Sequence, residues 1–204
     1  MAKKYSLYLM LIVLSGCVTP RVTLKTFVDP SLQSSSINSI AVFSLRNTAL
    51  SPGEALEIDR AITQGFIKKN GNVNVMGASE ATAKLNDANL VTDYSKFLMD
   101  FESSGIANTT TLQKVGDALS VNAILQGRLS DVVQKTGSYP GVAPVTSLTL
   151  RYTLLSCKTG NTLWEGTSNS AKYGATVFSQ PPPLYEVIFL AQEKIFTGLP
   201  ALGH

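Results

Sequence analysis

Residues able to do covalent or metal chemistry are few in this sequence, and their spacing removes most reactions. The only histidine is His204, the last of 204 residues. Ser–His and Cys–His nucleophile pairs and imidazole metal sites are therefore not expected. Glycine-rich phosphate loops of the Walker or Rossmann form are absent. Asp100 and Glu102 are two apart, so on a helix they do not face each other and read as a solvated face. Lys68-Lys69 reads as charge complementing the C-terminal end of a helix dipole. A Ser-Lys hydrolase would escape the missing histidine, but Ser95 and Lys96 are adjacent on a helix and read as surface. No catalytic residue, no metal and no cofactor is expected. What remains is the thiol chemistry of Cys17 and Cys157. In an exported chain a disulfide between them is the default.

The surroundings of Cys17 point elsewhere. Lys3 and Lys4 form a positive start, and an apolar stretch follows from Leu7 to Leu14. Small residues, Ser15 and Gly16, come next, the arrangement of a secretory signal with its cut site. Residues 5–14 as a helix would reach only about 15 Å, half of a hydrocarbon core. Leu14-Ser15-Gly16-Cys17 resembles the bacterial lipobox. That resemblance implies a diacylglyceryl group on the Cys17 thiol, cleavage just before it and acylation of the new amine. A single acyl chain anchors only marginally, whereas two or three hold a protein at a membrane. Cys157 is then left without a partner and reads as a buried free thiol. Residue 18 is Val, not the Asp that marks inner-membrane retention in common enterobacterial lipoproteins. The resemblance thus implies the periplasmic face of the outer membrane.

Composition bounds the rest. The hydrophobic content of 44% suits one globular domain behind an appendage. The formal charge of +3 falls to +1 without Lys3 and Lys4. That is no electrostatic footprint for nucleic acid. The chain divides into a signal at 1–16, lipidated Cys17 with a tether through residue 36, and a single periplasmic α/β domain at 37–204. The tether assignment rests on the Pro20, Pro30, Ser and Thr content of 18–36.

Within the domain, Ile37 to Leu45 is a short apolar run that reads as a buried strand. A helix follows Pro52-Gly53, with Ile58, Ile62 and Phe66 on one face. Val73 and Val75 mark a second strand. Helical spacing then runs through Leu90, Tyr94, Phe97 and Phe101, after a short helix that Ser79 would cap. Thr110 to Gln113 has the form of a capping box for the next helix. Val121 to Ser130 and Ser147 to Leu154 alternate as strands. A turn at Lys158–Asn161 pairs the second of these with a strand through Trp164. A last helix runs from Leu184 towards Thr197. The order β-α-β-α-α-β-β-β-α predicts a mixed sheet of about five strands, with helices mainly on one face.

Four stretches in this order are similar to a group of envelope domains. They are Ile40-Ala41-Val42-Phe43 with Asn47, Gly71 to Met76, Val115 to Gly127, and Lys158 to Gly166. The group comprises the curli-secretion channel lipoprotein, penicillin-binding-protein activator lipoproteins and the N-terminal domain of TolB. The similarity spans roughly residues 37–175. It implies a binding or assembly role in the bacterial envelope with no catalytic residues to carry over. Cys157 departs from it, where Asp is common before the Thr-Gly turn. The expected partners are the membrane, through lipid on Cys17, and another envelope protein. An oligomeric component of a secretion complex is the alternative.

Topology suggests where a partner would bind. If the strands through Leu125 and Tyr152 are antiparallel neighbours, the connection Lys135–Val145 lies at one end of the sheet. The exit loop Gly174–Pro183 then emerges at the same end. Tyr139, Pro140 and Val142 on one loop, and Phe178, Pro181, Pro182 and Pro183 on the other, become candidate anchors. The other expectation for Tyr139 and Phe178 is that they tuck onto the domain's own core.

Overall fold

The computed structural model describes residues 19–34, 37–47, 49–138 and 141–202. Cys17, Tyr139 and Pro140 lie outside them. The fold class is the expected mixed α/β arrangement, with a six-stranded sheet in the order β1-β6-β5-β4-β2-β3. The strands are β1 (Arg21–Val28), β2 (Ser39–Val42), β3 (Asn74–Met76), β4 (Ala123–Lys135), β5 (Val145–Ser156) and β6 (Thr162–Tyr173). The helices are α1 (Pro52–Lys69), α2 (Ala78–Asp87), α3 (Val91–Ser104), α4 (Thr109–Leu119) and α5 (Leu184–Thr197).

Two features of the sequence reading need correcting. Residues 21–28 were expected in the tether, but they form edge strand β1, antiparallel to β6 from Arg21↔Ala171 to Val28↔Trp164. The signal was in the sequence: Val22 and Leu24 alternate with Arg21, Thr23 and Lys25, the period of a half-buried strand. Its flanking Pro20 and Pro30 obscured that period. The second correction concerns the helices, which occupy both faces. On one side α1 and α5 pack Ile58, Ile62, Phe66, Val187, Ile188 and Ile195 against Leu125, Leu150, Tyr152 and Trp164. On the other, α2, α3 and α4 pack Leu85, Tyr94, Phe97, Leu112 and Leu119 against Ala41, Phe43, Ile124 and Leu155. Ile124, which breaks the polar side of its strand, is the residue that reaches this second core.

Local chemistry explains the helix starts. The hydroxyl of Ser51 accepts from the Glu54 amide, and the Glu54 carboxylate accepts from the Ser51 amide, a complete capping box for α1. The Ser51 hydroxyl also donates to that carboxylate at 2.7 Å, and this bond, followed by the one from the Ser51 amide at 3.0 Å, holds the Glu54 carboxyl below its usual range. Helix α4 is capped by Asn108, which accepts from the Thr111 amide at 3.0 Å. Thr110, expected to open the box, lies two residues after that cap, inside the helix. Ser79 sits inside α2, whose N-cap is Gly77. Two glycines have the roles expected of them. A Cβ on Gly127 would come 2.4 Å from the Tyr152 ring, and Gly160 turns the β5–β6 hairpin at φ +75°.

Four polar contacts of buried side chains tie the layers in register, while the side-chain nitrogen of buried Asn70 has no hydrogen-bond partner among the described residues. Asp59 on α1 accepts from the Leu45 amide at 3.0 Å. Gln192 on α5 donates to the Tyr152 hydroxyl at 3.0 Å. Tyr94 on α3 donates to Gln126 on β4 at 2.6 Å. Trp164, 1% exposed, donates its indole N–H to the Gly198 carbonyl at 3.0 Å. No helix among the described residues is long and apolar enough to cross a membrane.

Candidate binding surfaces

Three surfaces stand apart from the two cores. The first is the loop end. Across the sheet, Arg21, Ala171, Ser147 and Val133 share one rung, so β1 starts where β6 ends. The loops 136–144 and 174–183 leave the sheet there and lie side by side. The Gly174 amide donates to the Pro144 carbonyl at 2.8 Å. Gln134 and Thr146 both donate to the Pro182 carbonyl, at 3.3 and 2.5 Å. A Cβ on Gly137 would come 2.1 Å from the Val177 carbonyl oxygen, so the loops are pressed together at their base. Pro144 and Pro182 are buried in that base, Pro181 is half-buried and Pro183 is exposed.

The tips are different. Phe178 is 87% exposed and Val142 57%. Phe178 does not tuck onto the core or onto α5, the other expectation for it. It occupies the corner of a turn in which the Ser179 amide and hydroxyl both donate to the Thr176 carbonyl, at 3.2 and 2.7 Å. Of the seven loop residues singled out from sequence, five are described, and the fold brings them to one end.

The second surface is the face of β4, β5, β6 and β1 turned away from α5. Helices α2–α4 cover only its β2–β3–β4 side, where the second core lies. Beyond it the face is open and mostly polar, with Phe27 and Val133 as exposed apolar members. Arg151 and Arg128 are each about half exposed. Thr149 donates to the Asn169 side chain at 2.9 Å. Arg46 Nη1 lies 2.6 Å from Glu102 and Arg128 Nη1 3.7 Å from the same carboxylate. Arg151 Nε lies 3.7 Å from Glu165. Glu102 is thus not merely a solvated residue: it joins α3 to β4 through Arg128. Sequence spacing could not show that, because its partners lie on other elements.

The third is a polar cleft of about 680 Å³ at the far end, beside the Lys158–Asn161 turn. Gln113, Asp117, Asn122 and Thr159 line it, with Cys157 at its floor. Cys157 is free and buried. Burial, followed by the nearby Asp117 charge, pushes its thiol up to about 12. A thiol so held is protonated and inert at neutral pH. Among the described residues, no group of three or more His, Cys, Asp or Glu is placed to hold a metal ion.

Comparison with known proteins extends this geometry. No family model and no curated protein matches the sequence. Solved structures do match in fold. The PelC dodecamer from Paraburkholderia phytofirmans is 17% identical with a TM-score of 0.51, over 89% of this chain and 99% of the PelC chain. Lipoprotein GNA1162 from Neisseria meningitidis is 15% identical with a TM-score of 0.44, over 79% of this chain and 99% of its own. The LpoB C-terminal domain from Escherichia coli is 16% identical with a TM-score of 0.38, over 67% and 84%. At these identities the likeness is one of fold alone: the chain folds as PelC does.

Proposed function

We propose that this chain is a lipid-anchored outer-membrane lipoprotein that works by binding another envelope protein, with no reaction of its own. The observation that carries the reading is the open, mostly polar face of β1, β6, β5 and β4. It is rigid, because both cores brace the strands beneath it, and it offers arginines, threonines and asparagine over a broad flat area. Protein interfaces are built of such surfaces, in which Arg is enriched. The anchor supports the same reading. Cys17 precedes β1 by only four residues, so lipid there would hold the sheet itself, not a domain on a long leash.

A second reading has its own observation. The fold match to PelC is to a dodecamer, so the partner on this face could be another copy of the chain. The test is photo-crosslinking in the native envelope from Asn169 on the open face and, as control, from Arg60 on the outer side of α1. The expected result is a discrete adduct from Asn169 and none from Arg60. Its mass separates a different protein from a multimer of this chain. Membrane-bound protein that yields no adduct from Asn169 would overturn the assignment of this face.

A further inference from the structure

The loop end and the proposed anchor coincide, and this has a physical consequence. Arg21 is four positions after Cys17, a reach of at most about 14 Å. Arg21 pairs with Ala171, two residues before β6 ends and the loop carrying Phe178 begins. Acyl chains on Cys17 would therefore draw the sheet to the bilayer by this end. Phe178 and Val142 project from the same end, and Tyr185, in the first turn of α5, is partly exposed there. Arg21 sits over the Tyr173 ring at 5.9 Å. The charge at this end is on balance basic: Arg21, Lys135 and Lys172 stand against Glu186, which pairs with Lys172, and Asp131 in the bulge of β4.

We propose that the described parts of the two loops, 136–138 with 141–144 and 174–183, dock on an anionic phospholipid surface, with Phe178 and Val142 seated among the acyl chains and Arg21 and Lys135 at the headgroups. The proposal rests on lipidation of Cys17 for its orientation. Each feature has a reason in lipid. Exposed apolar side chains gain by leaving water. Aromatic side chains with a polar end suit the boundary between headgroup and chain. Basic residues beside an anionic leaflet add attraction within a Debye length. The loops need little reordering to insert. Their bases are hydrogen-bonded and proline-braced, and Phe178 already stands at the corner of a closed turn. One lipid anchor leaves a domain free to swivel, and a second contact fixes its orientation. The strands would then stand away from the bilayer, with the far-end cleft about 40 Å out along a twelve-residue strand.

The test uses the full lipidated chain in vesicles of phosphatidylethanolamine with a quarter phosphatidylglycerol, part of the lipid carrying brominated acyl chains. Trp164 is buried and provides a constant background. A second tryptophan is placed by Phe178→Trp, or by Ile106→Trp as control. Ile106 is also strongly exposed, but beside the far-end turn. Quenching several-fold stronger at position 178 than at 106, with a blue-shifted emission, is expected. Equal quenching at the two positions, or none at 178, overturns the docking. A protein adduct captured at 178 without quenching overturns it in favour of a protein-binding loop. Flotation of the Cys17→Ser chain separates this from the anchor. Flotation as complete as the parent's refutes the anchor, while quenching at 178 still decides the docking.

Discussion

The loop end and the far end of the sheet are built on the same strands but expose different chemistry. Where β1 begins and β6 ends, the surface is apolar at its tips and basic around them, with Phe178 and Val142 in the open. At the Lys158–Asn161 turn, the surface is a cleft of amide, hydroxyl and carboxylate groups, and its one reactive atom, the Cys157 sulfur, is buried. Ile106, and Phe27 and Val28 at the end of β1, are apolar exceptions at this far end. The loop end differs in carrying its exposed apolar side chains, Phe178 and Val142, at the tips of loops, with Arg21, Lys135 and Lys172 nearby. The open face of the sheet runs between the two and is where we place the protein partner.

This contrast depends on one rigid sheet joining the ends, and the largest predicted effect tests that. Trp164→Ala removes the largest side chain of the shared core, and truncation of a buried aromatic costs about 3–5 kcal/mol. A fall in Tm of roughly 10 °C, in a single transition, is expected from calorimetry. A shift under roughly 2 °C would mean that the β6–α5 contact does not brace the sheet.

An intermediate effect comes from the far end and from pH. Burial holds the Cys157 thiol neutral up to about 12, and it also raises Tyr94 and Tyr152. The unfolded chain loses these protons at ordinary values, near pH 8.5 for the thiol and 10 for the phenols. Between those values and the native ones the unfolded state binds fewer protons, so stability falls as pH rises. Urea midpoints should be level from pH 7 to 8 and then decline from about pH 9 upward. Cys157→Ala should flatten the first part of that decline and leave the tyrosine part. An alkaline decline of the same slope in the variant would place the thiol in water.

The smallest effect belongs to the loop end. Phe178→Ala touches no core and should change stability by less than about 0.5 kcal/mol, the usual range for an exposed site. A loss of several degrees in Tm would mean that Phe178 packs onto the domain in solution. Together with the Trp164 variant, it measures the difference between an aromatic that holds the fold and one that is held out from it.

Legibility in the sequence followed the same division. Period alone found β5, where Leu148, Leu150, Tyr152 and Leu154 alternate with polar residues, and α5, with Val187, Ile188, Ala191 and Ile195 on one stripe. The pairing of the two loops followed from counting strand directions, because antiparallel neighbours must return to the same end. What sequence missed needed partners from distant positions. Strand β1 has only Val22 and Leu24 half-buried, and it is a strand because β6 presents an edge for it. The division of helices between two faces turns on Ala41 in β2, Phe43 just after it and Ile124 in β4, the few apolar residues of these segments that face the second core. Asn70-Gly71 reads as the end of α1, and Asn70 is its C-cap, but nothing in the sequence shows that Asn70 also accepts from the Leu202 amide, 132 residues away, at 2.9 Å. The Glu102 link to Arg46 and Arg128 was hidden for the same reason.

Lipid on Cys17, as proposed, would set where the chain is held and which end meets the membrane. Mass spectrometry of the N-terminal peptide of the mature protein, purified from the native envelope, tests it most directly. The predicted peptide begins at Cys17, with a diacylglyceryl group on the thiol and an acyl chain on the amine. A peptide that begins upstream of Cys17, or one that begins there with an unmodified thiol, would contradict the account.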